Sequence, residues 1–334
     1  MIIPPKLKPG DEVRIIAPSC TLPSLGWMDE AFLERAKDYF RSRGCTVSES
    51  KHLRERNVFD STSIQHRIED LHEAFRDPKV TLMCTIRGGW NCNQLLPHLD
   101  YTIIKNNPKI FCGFSDITAL ANGIHAKTGL VTYSGANFYH FGFGSQMQYT
   151  YDAFDRCVMQ EEPFEIVPST HWTSDRYEPA HPELTFKQSE GFWILQEGKA
   201  EGVSLGANLC TLQLLHGTEF MPDIRESILF LEDDYESHPR TFDRDFESLT
   251  KQPGFDQIRG ILIGRFEPCT ANGITPMDRV QLEQIVASKS LPKGIPVIAN
   301  VDFGHTNPII TFPIGGTVRM EAGKGTARIE ILVH

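Results

Sequence analysis

Ser115, Glu232 and His305 each stand where an apolar run ends, and together they could attack an amide. Ser115 lies in Ile110-Phe111-Cys112-Gly113-Phe114-Ser115-Asp116-Ile117-Thr118. The apolar run reads as a buried strand stopping at Gly113, and Asp116 and Thr118 open a helical pattern through Ala119, Leu120 and Ile124. Strand, sharp turn, serine and helix lift a hydroxyl out of an α/β sheet toward a helix N-terminus. On local grounds a serine there is more often a plain helix cap, and the common Gly-x-Ser-x-Gly elbow has Ile117 in fifth place here. His305 follows a strand in Gly304-His305-Thr306-Asn307-Pro308, where the alternative is a solvated loop histidine. Glu232 ends the run Ile228-Leu229-Phe230-Leu231 and stands nearest the core among Glu232, Asp233, Asp234 and Glu236. A carboxylate at such a depth needs a partner.

In that order His305 would take the proton of Ser115 and return it to the leaving amine, with Glu232 fixing the imidazole tautomer. The negative charge on the tetrahedral oxygen needs backbone N–H donors. Gly89, in Arg87-Gly88-Gly89, and Asp116 at the helix start are the candidates. Gly88-Gly89 could also be a simple loop. Cys112 belongs to the apolar run, so it is not read as the nucleophile. No clustered metal ligands and no Gly-x-Gly-x-x-Gly or Walker loop stand out, so a metal site and dinucleotide or ATP use are unsupported.

The elements that must position these residues alternate. Strands are expected at Glu12–Ser19 (ending in a loop), Cys45–Ser48, Val80–Ile86, Ile110–Gly113 and Leu130–Tyr133, with helices between Trp27 and Arg43, from Ser63 to before Pro78, and from Asp116 to Lys127. A short helix closes over Asp152–Met159. This alternation predicts an α/β fold with an N-terminal doubly wound, mostly parallel sheet. Ligands in such sheets bind beyond the strands' carboxyl ends, where Ser19, Gly88-Gly89, Ser115 and Gly135 fall. Residues 168–191 show no sustained period and read as a linker or functional loop between an N-terminal domain (1–167) and a β-rich C-terminal domain (192–334). In the second domain Gly202–Leu205 is a strand and Gly206-Ala207-Asn208 a turn into an apolar helix. Further strands are Ile228–Leu231, Gly260–Gly264 and Pro296–Val301, and antiparallel hairpins follow from Ile309.

The 334 residues are 40% hydrophobic and 23% charged, which suits about two globular domains. A formal charge of -10 argues against a nucleic-acid backbone as partner. No run approaches the roughly 20 apolar residues of a membrane span, and no signal peptide is recognised. The eight cysteines (20, 45, 84, 92, 112, 157, 210, 269) are scattered, as in reduced core thiols. A cytoplasmic location is therefore expected.

In its motifs the chain resembles the LD-carboxypeptidase family of serine peptidases (family S66), which includes the microcin C immunity peptidases. The likeness rests on Pro5-Lys6-Leu7-Lys8-Pro9-Gly10-Asp11, Arg87-Gly88-Gly89 with Leu95-Leu96-Pro97, and Gly113–Thr118. It continues through Asn208-Leu209, Thr211-Leu212, Gly217-Thr218, Leu231-Glu232-Asp233 and Gly304-His305. The resemblance implies a Ser-Glu-His triad on Ser115, Glu232 and His305, an active site between the two domains of a homodimer, and no metal or cofactor. Substrate contacts would include Gly88, Trp172 and Asn208. Segment 169–175 and Gly191-Phe192-Trp193 resemble the longer loop of the microcin branch, in which a tryptophan stacks on the nucleobase. That branch cleaves the amide between an acidic aminoacyl group and a nucleotide. The murein branch instead releases terminal D-alanine from a muropeptide. A non-catalytic binding protein using the same cleft is a reading of another class. One departure stands out: Ala207 occupies a position where the family usually has glycine.

Overall fold

A computed structural model of the chain describes residues 1–176, 178–179, 182–234, 238–267 and 277–334. Glu236 and Cys269, named above, lie outside the described residues. The first half runs β1 (Glu12–Ile16), α1 (Glu30–Arg41), β2 (Thr46–Glu49), α2 (Ile64–Arg76), β3 (Val80–Thr85), α3 (Tyr101–Asn106), β4 (Ile110–Gly113), α4 (Ile117–Thr128), β5 (Thr132–Ser134) and α5 (Gln148–Met159). Then follow β6 (Phe164–Glu165), β7 (His171–Trp172), β8 (Lys187–Gln188), β9 (Trp193–Gln196), β10 (Gly198–Asn208), α6 (Leu209–Leu212), β11 (Ser227–Glu232), α7 (Pro239–Thr250), β12 (Gly260–Gly264), α8 (Arg279–Ser288), β13 (Val297–Val301), β14 (Phe312–Ile314), β15 (Thr317–Gly323) and β16 (Thr326–Val333).

The first sheet has the order β14-β5-β4-β3-β1-β2 and is parallel except at β14. Among its helices, α1 and α2 each have a side-chain cap and an apolar stripe. Asp29 accepts from the Phe32 amide at the start of α1, whose Phe32, Leu33, Ala36 and Phe40 are buried. Ser63 does the same for the His66 amide in α2, and α4 ends where Gly129 turns left-handed at φ 74°. Phe32, Phe40 and Phe154 of α1 and α5 pack in one cluster. Leu71, Phe75, Leu120 and Ile124 of α2 and α4 pack in another, continuous with the core of the second sheet. The doubly wound expectation is met.

The second sheet, β6-β16-β15-β10-β11-β12-β13-β9, is mixed. Its centre, β10 to β13, is parallel and its flanks are antiparallel, including the hairpin β15–β16. Two pairings cross the division expected from sequence: β6 joins β16, and β14 returns to pair with β5. Gly206-Ala207-Asn208 is not a turn. It completes the 11-residue strand β10, in register with Phe230, Leu231 and Glu232 of β11. Cross-strand bonds to β11, formed only in the assembled sheet, extend the strand past its glycine. Segment 168–191 contains the small ribbon β7–β8. Among the described residues no helix is long and apolar enough to cross a membrane.

Candidate active site

The sharp turn after β4 is built by its neighbours. Asn137 Oδ1 accepts from Thr85 Oγ1 at 2.6 Å and from the Phe114 amide at 3.4 Å. Ser115 then sits at φ 67°, a left-handed conformation that non-glycine residues rarely adopt. Gly88 packs directly on it: a Cβ there would fall 2.8 Å from the Ser115 Cβ and 3.1 Å from its Oγ. A side chain at Gly89 would collide with Ser19 and Cys20. Both glycines are therefore required by close approach rather than by loop flexibility.

Residues distant in sequence meet at this hydroxyl. His305 Nε2 lies 3.0 Å from Ser115 Oγ, and His305 Nδ1 lies 2.9 Å from Glu232 Oε2. The Glu232 side chain is 2% exposed and that of His305 15%. Glu232 ends β11, and Gly304 and Gly264 make room for it: added Cβ atoms would fall 2.9 Å from its Oε2 and its Cβ respectively. Burial alone lowers the basicity of the His305 imidazole. The carboxylate of Glu232, with Asp234 and Glu267 beyond it, more than offsets this and pushes its pKa up to about 9. Burial drives the Cys112 thiol well above its ordinary range, in keeping with a core residue.

The Asp116 amide begins α4, and among the described residues neither it nor the Gly89 amide has an intramolecular acceptor. Asn208 is buried. Its Oδ1 accepts from the Thr211 amide at 3.0 Å, capping α6, and its Nδ2 has no partner among the described residues. It stands beside Glu232 in the β10–β11 register. Ala207 stands at φ 121°, a conformation that a glycine takes without strain and other residues rarely adopt.

Trp172 lies elsewhere. It lines a cavity of about 240 Å³ with Lys187, Trp193, Arg265, Met277 and Asn300. The Lys187 Nζ and the Arg265 guanidinium lie 5.2 Å and 5.3 Å from its ring centre. Gly264 belongs both to this cavity and to the packing around Glu232. The loop carrying Trp172 is also tied to the loop carrying His305. Thr173 and Asn307 exchange backbone hydrogen bonds at 2.7 and 2.8 Å, and Ser169 Oγ donates to Asp302 at 2.6 Å.

Three features were not anticipated. Phe114 lies between two imidazoles, 5.2 Å from the His305 ring and 5.5 Å from His140. Burial holds the His140 pKa down at about 3, so that ring is neutral. Asp302 and Arg265 form a buried ion pair at 2.7 Å that no local pattern announces. His52, Glu55 and His66 also bring metal-ligating atoms within 4.8 Å of one another, although no such cluster was recognised in the sequence. Their rings stack 4.0 Å apart at 13°, so one ion cannot lie in both ring planes as imidazole ligation requires. Asp70 and Glu55 already accept from these rings at 2.7 and 2.6 Å.

Family models of the LD-carboxypeptidase N-terminal and C-terminal domains match residues 13–135 and 201–320. The chain belongs to the LD-carboxypeptidase family. An MccF-like protein from Bacillus anthracis, solved as a crystal structure, shares 42% identity with full coverage of both chains and a TM-score of 0.95. The Escherichia coli microcin C7 self-immunity protein MccF is 31% identical, over 84% of this chain and 83% of its own. Its structure with glutamyl sulfamoyl guanosine aligns at TM-score 0.88 and 27% identity, covering 100% and 99% of the two chains. The muramoyltetrapeptide carboxypeptidase from Oxalobacter formigenes aligns at 0.76 and 26%, covering 97% and 99%.

Proposed function

We propose that this family member is a serine-type carboxypeptidase that hydrolyses the amide between an acidic aminoacyl group and a nucleotide. The observation that carries the chemistry is the unbroken line Ser115 Oγ, His305 Nε2, His305 Nδ1, Glu232 Oε2, with contacts of 3.0 and 2.9 Å. Neutral His305 accepts the Ser115 proton as Oγ adds to the carbonyl carbon, and its Nδ1–H donates to Glu232. The oxyanion forms facing the Gly89 and Asp116 amides. His305 then protonates the departing nitrogen, and a water deprotonated by the same imidazole releases the acyl group from Ser115.

For the substrate, the supporting observations are the Trp172 cavity and the closer superposition on MccF than on the muramoyltetrapeptide enzyme. MccF has been crystallised with aspartyl sulfamoyl adenosine and with the glutamyl guanosine analogue. An indole with two cationic side chains near its ring suits an electron-rich planar base. Muropeptide L,D-carboxypeptidase activity is the second reading, favoured by the family's own LD-carboxypeptidase models. The test pairs glutamyl-sulfamoyl-adenosine with a murein tetrapeptide. We expect turnover of the nucleotide conjugate by the wild type and none by Ser115→Ala, with an unchanged circular dichroism spectrum. Retained turnover in that variant refutes Ser115 as nucleophile, and D-alanine release alone overturns the choice of substrate.

A further inference from the structure

Asp116 supplies more than a backbone amide. As first residue of the α4 turn it would ordinarily cap its own helix with its side chain, but it makes no such cap. The carboxylate is turned the other way and is buried, with the residue 2% exposed. One oxygen, Oδ2, accepts three hydrogen bonds: from Ser19 Oγ at 2.5 Å, from the Asn91 amide at 2.8 Å and from the Cys92 amide at 2.9 Å. Ser19 belongs to the loop after β1, and Asn91 and Cys92 to the loop after β3 that carries Gly88 and Gly89. The two loops also bond to each other, Cys20 N–H donating to Gly88 O at 3.2 Å.

A second buried charge holds the same loops. Arg67, 2% exposed, donates to Pro18 O and Asn91 O, both at 3.1 Å, and to Gln94 Oε1 at 3.0 Å. The carboxylate gathers N–H and O–H groups while the guanidinium gathers carbonyls. Between them the loop backbone has little freedom to shift.

We propose that the Asp116 carboxylate is a positioning residue that sets the spacing of the oxyanion hole. It locks the loop presenting the Gly89 N–H to the residue whose own N–H is the other donor. The inference rests on Ser115 being the nucleophile. Catalysis through such donors depends on their standing where charge develops, and a misplacement of about 1 Å costs on the order of 100-fold.

The test uses Asp116→Asn and Ser19→Ala, assayed on whichever of the two substrates the wild type turns over. Asparagine keeps the shape but weakens acceptance and adds an N–H beside three donors. Ser19→Ala removes one of three bonds and leaves both backbone bonds, so it also covers the case in which Asp116→Asn fails to fold. We expect kcat to fall about 100-fold in Asp116→Asn and about 10-fold in Ser19→Ala. KM should stay within threefold, and the pH midpoint should not move, because His305 and Glu232 are untouched. Affinity for boroglutamate, a boronic acid that forms a tetrahedral adduct with serine, should fall in proportion to kcat/KM. Unchanged kcat, or a loss carried in KM with boronate affinity intact, overturns the proposal. A wild type that neither turns over substrate nor binds the boronate overturns the Ser115 reading, and the proposal with it.

Discussion

Replacing Glu232 by glutamine removes one charge and keeps the outline of the side chain. In the wild type His305 has its pKa near 9, against an ordinary 6.5, although burial pulls it down. At pH 7 only about 1% of the imidazole is neutral and able to accept the Ser115 proton. Wild-type kcat/KM should therefore climb about tenfold per pH unit above 7 and level off near 9. In Glu232→Gln the main raising charge is gone, while burial, Asp234 and Glu267 remain. The midpoint should drop by roughly 1–2 pH units. The plateau should fall by about 10³–10⁴, because a glutamine NH₂ facing Nδ1 places the imidazole proton on Nε2, where it cannot accept from serine. Stability moves the other way. A folded-state pKa raised above the unfolded value stabilises fully below about 6.5, and that contribution is lost as pH rises through about 9. The difference of about 2.5 units is worth roughly 3 kcal/mol. Chemical denaturation at pH 6 and pH 9.5, beside pH–rate profiles of both proteins, measures the two effects. A Glu232→Gln enzyme with the wild-type midpoint, or with a plateau within tenfold of wild type, would refute the reasoning.

Trp172→Ala should raise KM for the nucleotide conjugate about 10–100-fold, the cost of one lost base–aromatic stack, while leaving any turnover of a murein tetrapeptide unchanged; equal effects on both substrates would show that the indole only supports its loop. Ala207→Gly should stabilise the protein by about 1 kcal/mol, seen as a melting temperature higher by about 2–4 °C, since relief of the φ 121° strain outweighs the added freedom of the unfolded chain. A lower melting temperature would mean that the Ala207 methyl packs for more than its strain costs.

Much of the site was legible because its pieces are local. A buried strand ending in Gly113 and running into a helix dictates a turn, whatever the rest of the chain does. Glu232 and His305 stand out in the sequence because each follows an apolar run that reads as a strand. Only its depth singled out Glu232 from its acidic neighbours, and local patterns could not place His305 within 3.0 Å of a serine 190 residues away. Nor could they show that β10 runs on to Asn208, because that depends on pairing with β11.

The sequence by itself therefore determined the strand, turn and helix around Ser115, the alternating first sheet, and the types of residue available as base and acid. These follow from hydrophobic period and backbone sterics acting over a few residues. Tertiary structure alone brought the Glu232 carboxylate to the His305 imidazole, and decided how the Trp172 and His305 loops are joined. It also turned the Asp116 side chain from its own helix to two distant loops. Those outcomes depend on sheet register and on buried charges finding partners across the fold, and neither leaves a periodic trace along the chain.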